Sequence, residues 1–299
     1  LTSIKSVGFV GLGIMGKPMA RNLLEAGFSL AVFSRTRGPV DELASEGAEP
    51  RESPKACAQG RDAVITMLPD SPDSERVLLG KNGVLEGASP GSLVIDMSSI
   101  APSVSRKIGA ACEAKGVQFL DAPVSGGEAG AIAGSLAIMA GGKKEAFDRA
   151  EPLFSALGKS AVLCGGYGAG NIVKLANQII VAANIEAVSE ALVFARKAGV
   201  DPRVAFEAIR GGLAGSKVLE AKAPMMIEGN FKPGFRLRLH LKDLANALAT
   251  AKEEGIPLPV AALLQQMVTA LVVSGNGDLD HSAIARFLED LSQTTIRGE

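Results

Sequence analysis

The stretch "VGFVGLGIMGKPMARNL", residues 7–23, decides the fold. A short apolar run ends in Gly11-Leu12-Gly13-Ile14-Met15-Gly16, and a helical pattern follows at once. This is G-x-G-x-x-G set between a strand and a helix. Gly11 allows the tight turn, Gly13 lets a pyrophosphate approach the backbone, and Gly16 permits close packing of helix on strand. The helix start supplies unpaired N–H donors and the positive end of its dipole. The motif alone is weak. Its setting in an alternating α/β pattern makes the loop, Leu12, Ile14 and Met15 included, a dinucleotide cradle.

That pattern runs over residues 6–166. "SVGFVGL", "SLAVFSR", "DAVITMLP", "SLVIDMS", "VQFLDAPV", "SLAIMAGG" and "AVLCGG" read as strands, short, aliphatic and bounded by Gly, Pro, Asp or Ser. Apolar runs without alternation suit strands covered on both faces, as in a parallel sheet. The intervening "IMGKPMARNLLEAG" and "PSVSRKIGAACEAKG" carry helical spacing and end in glycine. The expected fold is α/β, with a Rossmann-type doubly wound sheet over residues 1–167.

The second strand ends where an acidic residue would hold the ribose 2′-hydroxyl of NAD. Ser34, Arg35 and Thr36 stand there, followed by Arg37. A guanidinium and two hydroxyls favour a 2′-phosphate, so NADP(H) is expected over NAD(H), with NAD(H) still possible.

From Gly168 the pattern changes. No breaker occurs up to Gly199, which predicts a helix of ~30 residues, ~45 Å long, running between domains. "DPRVAFEAIRGG", "FRLRLHLKDLANALATAKEEG", "PVAALLQQMVTALVVSG" and "HSAIARFLEDLS" follow with helical spacing, and Asp201-Pro202 reads as an N-cap with proline at N1. Residues 168–299 are therefore expected to form an all-α domain that begins with the long interdomain helix. "GGLAGSKVLEAKAP", 211–224, is rich in small residues, which permits a loop of close approach over a ligand without requiring one.

Composition narrows the function. A net charge of −1 gives no field for nucleic acid or an anionic membrane. The three cysteines, Cys57, Cys112 and Cys164, are scattered and form no CxxC pair, so they suggest neither a disulfide framework nor zinc. With two histidines, His240 and His281, neither a histidine metal site nor a Ser-His-Asp triad is expected. The N-terminal apolar run is short and broken by glycines, which is unlike a signal peptide. No unbroken run of ~18 apolar residues occurs, so no membrane span is expected and a cytoplasmic location is.

Two segments carry candidate substrate chemistry. "DAPVSGGEAGAIAG" brings Ser125, Gly126 and Gly127 to a strand's C-terminal end, where a hydroxyl and two N–H groups either cradle a small carboxylate or make a plain glycine-rich connection. In "GAGNIVKLANQ", Gly168–Gln178, α spacing puts Asn171, Lys174 and Gln178 on one face, with Asn177 beside Lys174. Ile172, Val173, Leu175, Ile179 and Ile180 are expected to cover the other faces as core. Lys174 either snorkels to the surface or works. Desolvation would draw its pKa from ~10.4 towards neutrality and suit it to protonate a carbonyl oxygen. Lys242 and Asp243 read as a solvated pair or as part of a site.

"GFVGLGIMGKPMARNL", "DAPVSGGEAGA" and "GAGNIVKLANQ", in this order, resemble the signatures of the β-hydroxyacid dehydrogenases, the family of 3-hydroxyisobutyrate and 6-phosphogluconate dehydrogenases. The resemblance spans essentially the whole chain. "IDMSSIAP", "IRGGLAGSKVLEAKAPMM" and "FKPGFRLRLHLKDLANAL" are similar to the branch that reduces a small carboxylate aldehyde. It implies that Lys174 is the general acid in reduction and the base in oxidation. It implies that Ser125, Gly126 and Gly127 bind the substrate carboxylate. By the same resemblance Ser99 lies near the nicotinamide, Met67, Leu68 and Pro69 lie along the cofactor, and Lys242 contacts it. Phe235 and Asp243 would close the site. Many members carry asparagine four residues after the lysine. This chain has Gln178 there with Asn177 before it, and either is a candidate substrate amide. A homodimer or homotetramer is also implied, and no metal.

Overall fold

The computed structural model describes residues 4–297. The chain divides into two compact units inside its longest helix, after Lys174.

The first unit is built on one sheet. Its strands are β1 (Ser6–Val10), β2 (Ser29–Phe33), β3 (Glu49–Pro50), β4 (Ala63–Thr66), β5 (Leu93–Asp96), β6 (Gln118–Asp121), β7 (Val124–Ser125), β8 (Leu136–Gly142) and β9 (Gly158–Gly165). The order is β3-β2-β1-β4-β5-β6-β8-β7, with β9 on β8. β1 to β6 pair in parallel, as the apolar runs predict. Their side chains alternate between two cores. Val7, Phe9, Ile65 and Ile95 enter one, while Val10, Val64, Val94 and Phe119 enter the other. Both faces are thus apolar, which is why no polar alternation marks these strands.

The far side departs from an all-parallel sheet. β8 runs antiparallel to β6 and to β7. The segment 126–135 between β7 and β8 holds only the short helix Gly127–Ile132 and is too short for a crossover, so the chain turns back on itself.

In the second unit, five α-helices surround the continuation of the long helix Ala169–Lys197: Pro202–Ile209, Lys217–Glu228, Leu237–Glu253, Pro259–Leu271 and Ile284–Ser292. Ile185, Leu192, Leu219, Leu244, Leu264 and Val268 fill its core. Asp201 caps its helix as the sequence predicts, with Oδ1 accepting from Arg203 N at 2.8 Å. Of the segment 211–224, only 211–216 is free of helix, and the rest corrects the loop reading. Lys217–Glu228 is helical because Ser216 Oγ accepts from Leu219 N at 3.0 Å and strong helix formers follow.

Two expectations about the long helix also change. Its mean hydropathy reaches 1.5 over 18 residues, so by length and composition it is able to span a bilayer although no unbroken apolar run marks it. Its buried polar groups, however, have protein partners: Asn171 bonds Ile100 and Ser105, Gln178 bonds Asp243, and Ser189 bonds the Ile185 carbonyl. That is the character of a helix set in protein. Ile172, Val173 and Ile180, expected as core, are 46%, 39% and 62% exposed, whereas Asn171, Lys174 and Gln178 are buried. The helix has turned its polar stripe inward.

Candidate active site

The register of the first unit explains why distant segments share one edge. Val10 pairs with Phe33 and Thr66, Thr66 with Asp96, and Asp96 with Asp121. These residues end five parallel strands in one row. The chain after each row member, at Gly11, Ser34, Met67, Met97 and Ala122, therefore emerges at the carboxyl edge, where open α/β sheets bind ligands. Ser99 follows two residues after Met97, and Ser125 lies further along, in β7 opposite Ala137.

The glycine loop fits a dinucleotide. Gly11 has φ +100° and donates from N to Phe33 O at 2.9 Å, and a Cβ there would strike the Met67 carbonyl. Gly16 lies against the Gly11 carbonyl, again with no room for a Cβ. Gly13 differs: an added Cβ would meet nothing within 4 Å. The first and last glycines are demanded by the protein's own packing, and the middle one opens onto free space. No side chain caps the helix Gly16–Glu25, so its N-terminus is available to an anion. Leu12 is buried, Ile14 is exposed, and Met15 packs on the core. These features suit a pyrophosphate.

Beyond β2, Ser34 is half-buried and Arg35 and Thr36 are exposed. Arg35 pairs with Asp73 at 3.7 Å, an acidic neighbour that local reading of residues 34–37 misses. Met67 N donates to Val10 O at 3.0 Å and Leu68 N to Ser98 Oγ at 2.8 Å, which fixes the loop that continues to the exposed Pro69.

Two buried aspartates organise the other strand ends. Asp96 Oδ1 accepts from Thr66 Oγ1 at 2.8 Å and from Ser98 N at 3.1 Å, and burial pushes its carboxyl above the usual range. Asp121 accepts from Gly168 N at 2.7 Å and Asn171 N at 2.9 Å. Burial raises its carboxyl to about 7, against the lowering effect of those two bonds. Asn171 Oδ1 accepts from Ile100 N at 2.9 Å, beside Ser99, and its Nδ2 donates to Ser105 Oγ at 3.0 Å. The segments of Ser99, Asp121 and Lys174 are thus tied together. Lys174 follows on the next part of the same helix and is 6% exposed. Ser125 ends β7 half-buried, with Gly126 and Gly127 leading into the short helix after it. Neither aspartate stands out in the sequence, because a lone Asp at a strand end looks like a turn residue.

The second unit gathers the remaining candidates. Asn177 Nδ2 donates to Gln178 Oε1 at 2.9 Å, and Gln178 Nε2 donates to Asp243 Oδ2 at 2.6 Å. Lys242 Nζ is 3.0 Å from Asp243 Oδ1, an ion pair in which that oxygen lacks hydrogen-bond geometry. Lys242 and Asp243 are therefore no solvated pair, since Asp243 is fully buried. Phe235 packs edge-on against His240 and His281, for which the sequence offers neither a metal nor a catalytic role. No cluster able to hold a metal ion occurs among the described residues.

Residues 6–166 match the family model of the NAD binding domain of 6-phosphogluconate dehydrogenase, and residues 168–288 match that of the NAD-binding domain of NADP-dependent 3-hydroxyisobutyrate dehydrogenase. The chain belongs to the β-hydroxyacid dehydrogenase family. Within this family it is 48% identical over 284 residues to 2-hydroxy-3-oxopropionate reductase of Escherichia coli, covering 95% of this chain and 97% of that protein. It is 37% identical over 293 residues to NAD-dependent L-serine dehydrogenase of Pseudomonas aeruginosa, covering 96% and 98%. The solved structure of Mycobacterium tuberculosis 3-hydroxyisobutyrate dehydrogenase with L-serine superposes with a TM-score of 0.87 at 32% identity, covering 95% of this chain and 99% of that one. As a β-hydroxyacid dehydrogenase, the chain is an NAD(P)-dependent oxidoreductase that acts on a hydroxyl group.

Proposed function

We propose that this dehydrogenase reduces tartronate semialdehyde (2-hydroxy-3-oxopropanoate) to D-glycerate with NADPH, reversibly, in the cytoplasm. The observation that carries the reading is Lys174, a buried lysine at the start of a helix whose first turn is pinned to the carboxyl edge of the sheet. The 48% identity to a reductase of that substrate supports the choice within the family.

Bound nicotinamide supplies the hydride to the aldehyde carbon. The chain's residues do the rest. Ser125 Oγ and the N–H groups of Gly126 and Gly127 hold the substrate carboxylate and fix the carbonyl. As the carbon–oxygen double bond opens, Lys174 gives a proton to the oxygen, which becomes the hydroxyl of the product. The neutral amine then regains a proton from solvent. In oxidation the amine takes the proton instead. Ser99, Met67, Leu68 and Pro69 flank the cofactor, and Arg35 with Ser34 and Thr36 holds the 2′-phosphate, which gives the preference for NADPH.

The reading extends to a homodimer or homotetramer. The exposure of Ile180 at 62%, Phe194 at 75% and Leu291 at 69% supports it, and sedimentation equilibrium tests it.

Initial rates over a panel decide the substrate: tartronate semialdehyde, glyoxylate and succinic semialdehyde in reduction, and 3-hydroxyisobutyrate and L-serine in oxidation, each with both nicotinamides. The highest kcat/KM is expected for tartronate semialdehyde with NADPH. A higher value for any other acid replaces the substrate. Discrimination among such small acids rests on ~1–3 kcal/mol.

A further inference from the structure

The chain has two histidines. Both are buried in the second unit, and their Nδ1 atoms meet at 3.0 Å. Two ring nitrogens at this distance share one hydrogen, so one ring donates and the other accepts. The far nitrogen of His240 settles the direction. Its Nε2 lies 3.1 Å from the backbone carbonyl of Gln178, and a carbonyl only accepts. His240 therefore carries hydrogen on Nε2, and in its neutral form Nδ1 is bare. His281 must then donate from Nδ1. The chain runs from His281 Nδ1–H to His240 Nδ1, and from His240 Nε2–H to the Gln178 carbonyl.

Each end of this chain is anchored. His281 N donates to Phe235 O at 2.9 Å. The neighbouring Asp280 accepts from Lys222 Nζ at 2.9 Å, Gly234 N at 3.0 Å, Phe235 N at 3.1 Å and Ser282 N at 3.0 Å. The Phe235 ring rests edge-on against both imidazoles, with centroids 5.8 and 5.3 Å away. At the other end, Gln178 is held by its carbonyl on His240 and by its side chain on Asp243. Gln178 lies one turn beyond Lys174 on one continuous helix. A bond to its carbonyl resists rotation of that turn about the helix axis.

We propose that His281 and His240 form a positioning dyad for Lys174, with fixed tautomers that set the rotation of the helix turn bearing the proton donor. In this role the rings act through the helix turn and not on the reacting atoms. A pair of apolar side chains fills the same volume but leaves the Gln178 carbonyl without this donor. The dyad rests on the reading of Lys174 as proton donor, where a displacement of ~1 Å costs ~10²-fold in rate.

The test joins a spectroscopic and a kinetic readout on the full chain. Nitrogen-15 spectra of the two imidazoles, assigned with His281→Asn, should show His281 protonated on Nδ1 and His240 on Nε2. Both rings protonated on Nε2 alone would overturn the dyad. His281→Phe keeps ring volume and loses the donor, so kcat should fall about tenfold or more while KM for NADPH stays put. His281→Asn, which returns a donor at the Nδ1 position, should recover most of it. His281→Gln, whose donor sits one bond further out, should not. Equal kcat for the Asn and Gln variants, or wild-type kcat in the Phe variant, refutes positioning even if one variant folds poorly. A wild-type enzyme inert on every acid of the panel refutes the functional reading, and the dyad's role with it, whatever the spectra show.

Discussion

The backbone N–H of Asn171 donates to Asp121 Oδ2 at 2.9 Å, while Gly168 N–H donates to Oδ1 at 2.7 Å. The end of β6 thereby caps the helix that carries Lys174. Helix start and strand end are one structural unit, and Asn171 extends it through its side-chain amide to Ile100 and Ser105. A carboxylate is favoured at a helix N-terminus by the dipole, yet here burial dominates and lifts the carboxyl to about 7.

The raised pKa has a definite consequence for stability. A carboxyl whose folded pKa is raised binds its proton more tightly in the native state. Its contribution to stability is fully present below the unfolded value near ~4 and is lost as pH rises through about 7. Asp121→Asn removes this titration. Thermal melts of both proteins from pH 4 to 8 should show the wild type losing stability relative to the variant as pH rises. The loss should reach a few kcal/mol at most, since a tenfold change in proton affinity is worth about 1.4 kcal/mol. A Tm difference that is flat across this range would show that Asp121 titrates normally.

Lys174→Ala should lower kcat by ~10²–10⁴, the usual worth of a general acid. The Kd for NADPH, measured by fluorescence titration, should stay within about threefold, because the glycine loop and Arg35 are untouched. Lys174→Arg should fail to restore turnover, since a guanidinium does not give up its proton near neutral pH. More than about a tenth of wild-type kcat in the alanine variant would remove the proton-donor role.

Much of this was legible in the sequence. Seven of the strands stand out as short apolar runs: β1, β2, β4, β5 and β6 because both faces of the sheet are buried there, β8 and β9 by their aliphatic residues alone, since β8 alternates and β9 is largely exposed. The glycine loop announces itself because its first and last glycines have neighbours where a Cβ would sit. What stayed hidden depends on partners distant in sequence. β3 and β7 are two residues each and exist through pairing alone. The helix Lys217–Glu228 was masked by the small residues before it. Asp121 and Asn171 are 50 residues apart, and His240 and His281 are 41 apart. No local pattern links such pairs. The inward turn of Asn171, Lys174 and Gln178 is the clearest case: periodicity placed them on one face, but only packing shows that this polar face is the buried one.

Arg35 should govern the choice of nicotinamide. Its guanidinium is 75% exposed at the end of β2, and its ion pair with Asp73 at 3.7 Å is too solvated to hold it back from a phosphate. Arg35→Ala should lower kcat/KM with NADPH about tenfold and leave NADH nearly unchanged, since a hydrogen bond to a charged group is worth ~1.5–3 kcal/mol. High salt should erode the wild-type preference in the same direction. A wild-type enzyme that prefers NADH tenfold would assign Arg35 to the surface.

The three glycines of the loop should fail in different ways, which separates packing from binding. A Cβ at Gly16 strikes the Gly11 carbonyl, so Gly16→Ala must push helix from strand and should cost ~1–3 kcal/mol of stability. Gly11→Ala adds strain at φ +100° to a clash with the Met67 carbonyl and should be at least as damaging. Gly13→Ala meets no atom within 4 Å, so its unfolding free energy should match the wild type within ~0.5 kcal/mol. Its methyl group nevertheless takes the space proposed for the pyrophosphate, and KM for NADPH should rise about tenfold or more. Measured together, unfolding and cofactor kinetics should therefore cross: Gly16→Ala unstable, Gly13→Ala stable but poor at binding. If Gly13→Ala binds NADPH normally, the space beside Gly13 is not where the cofactor lies.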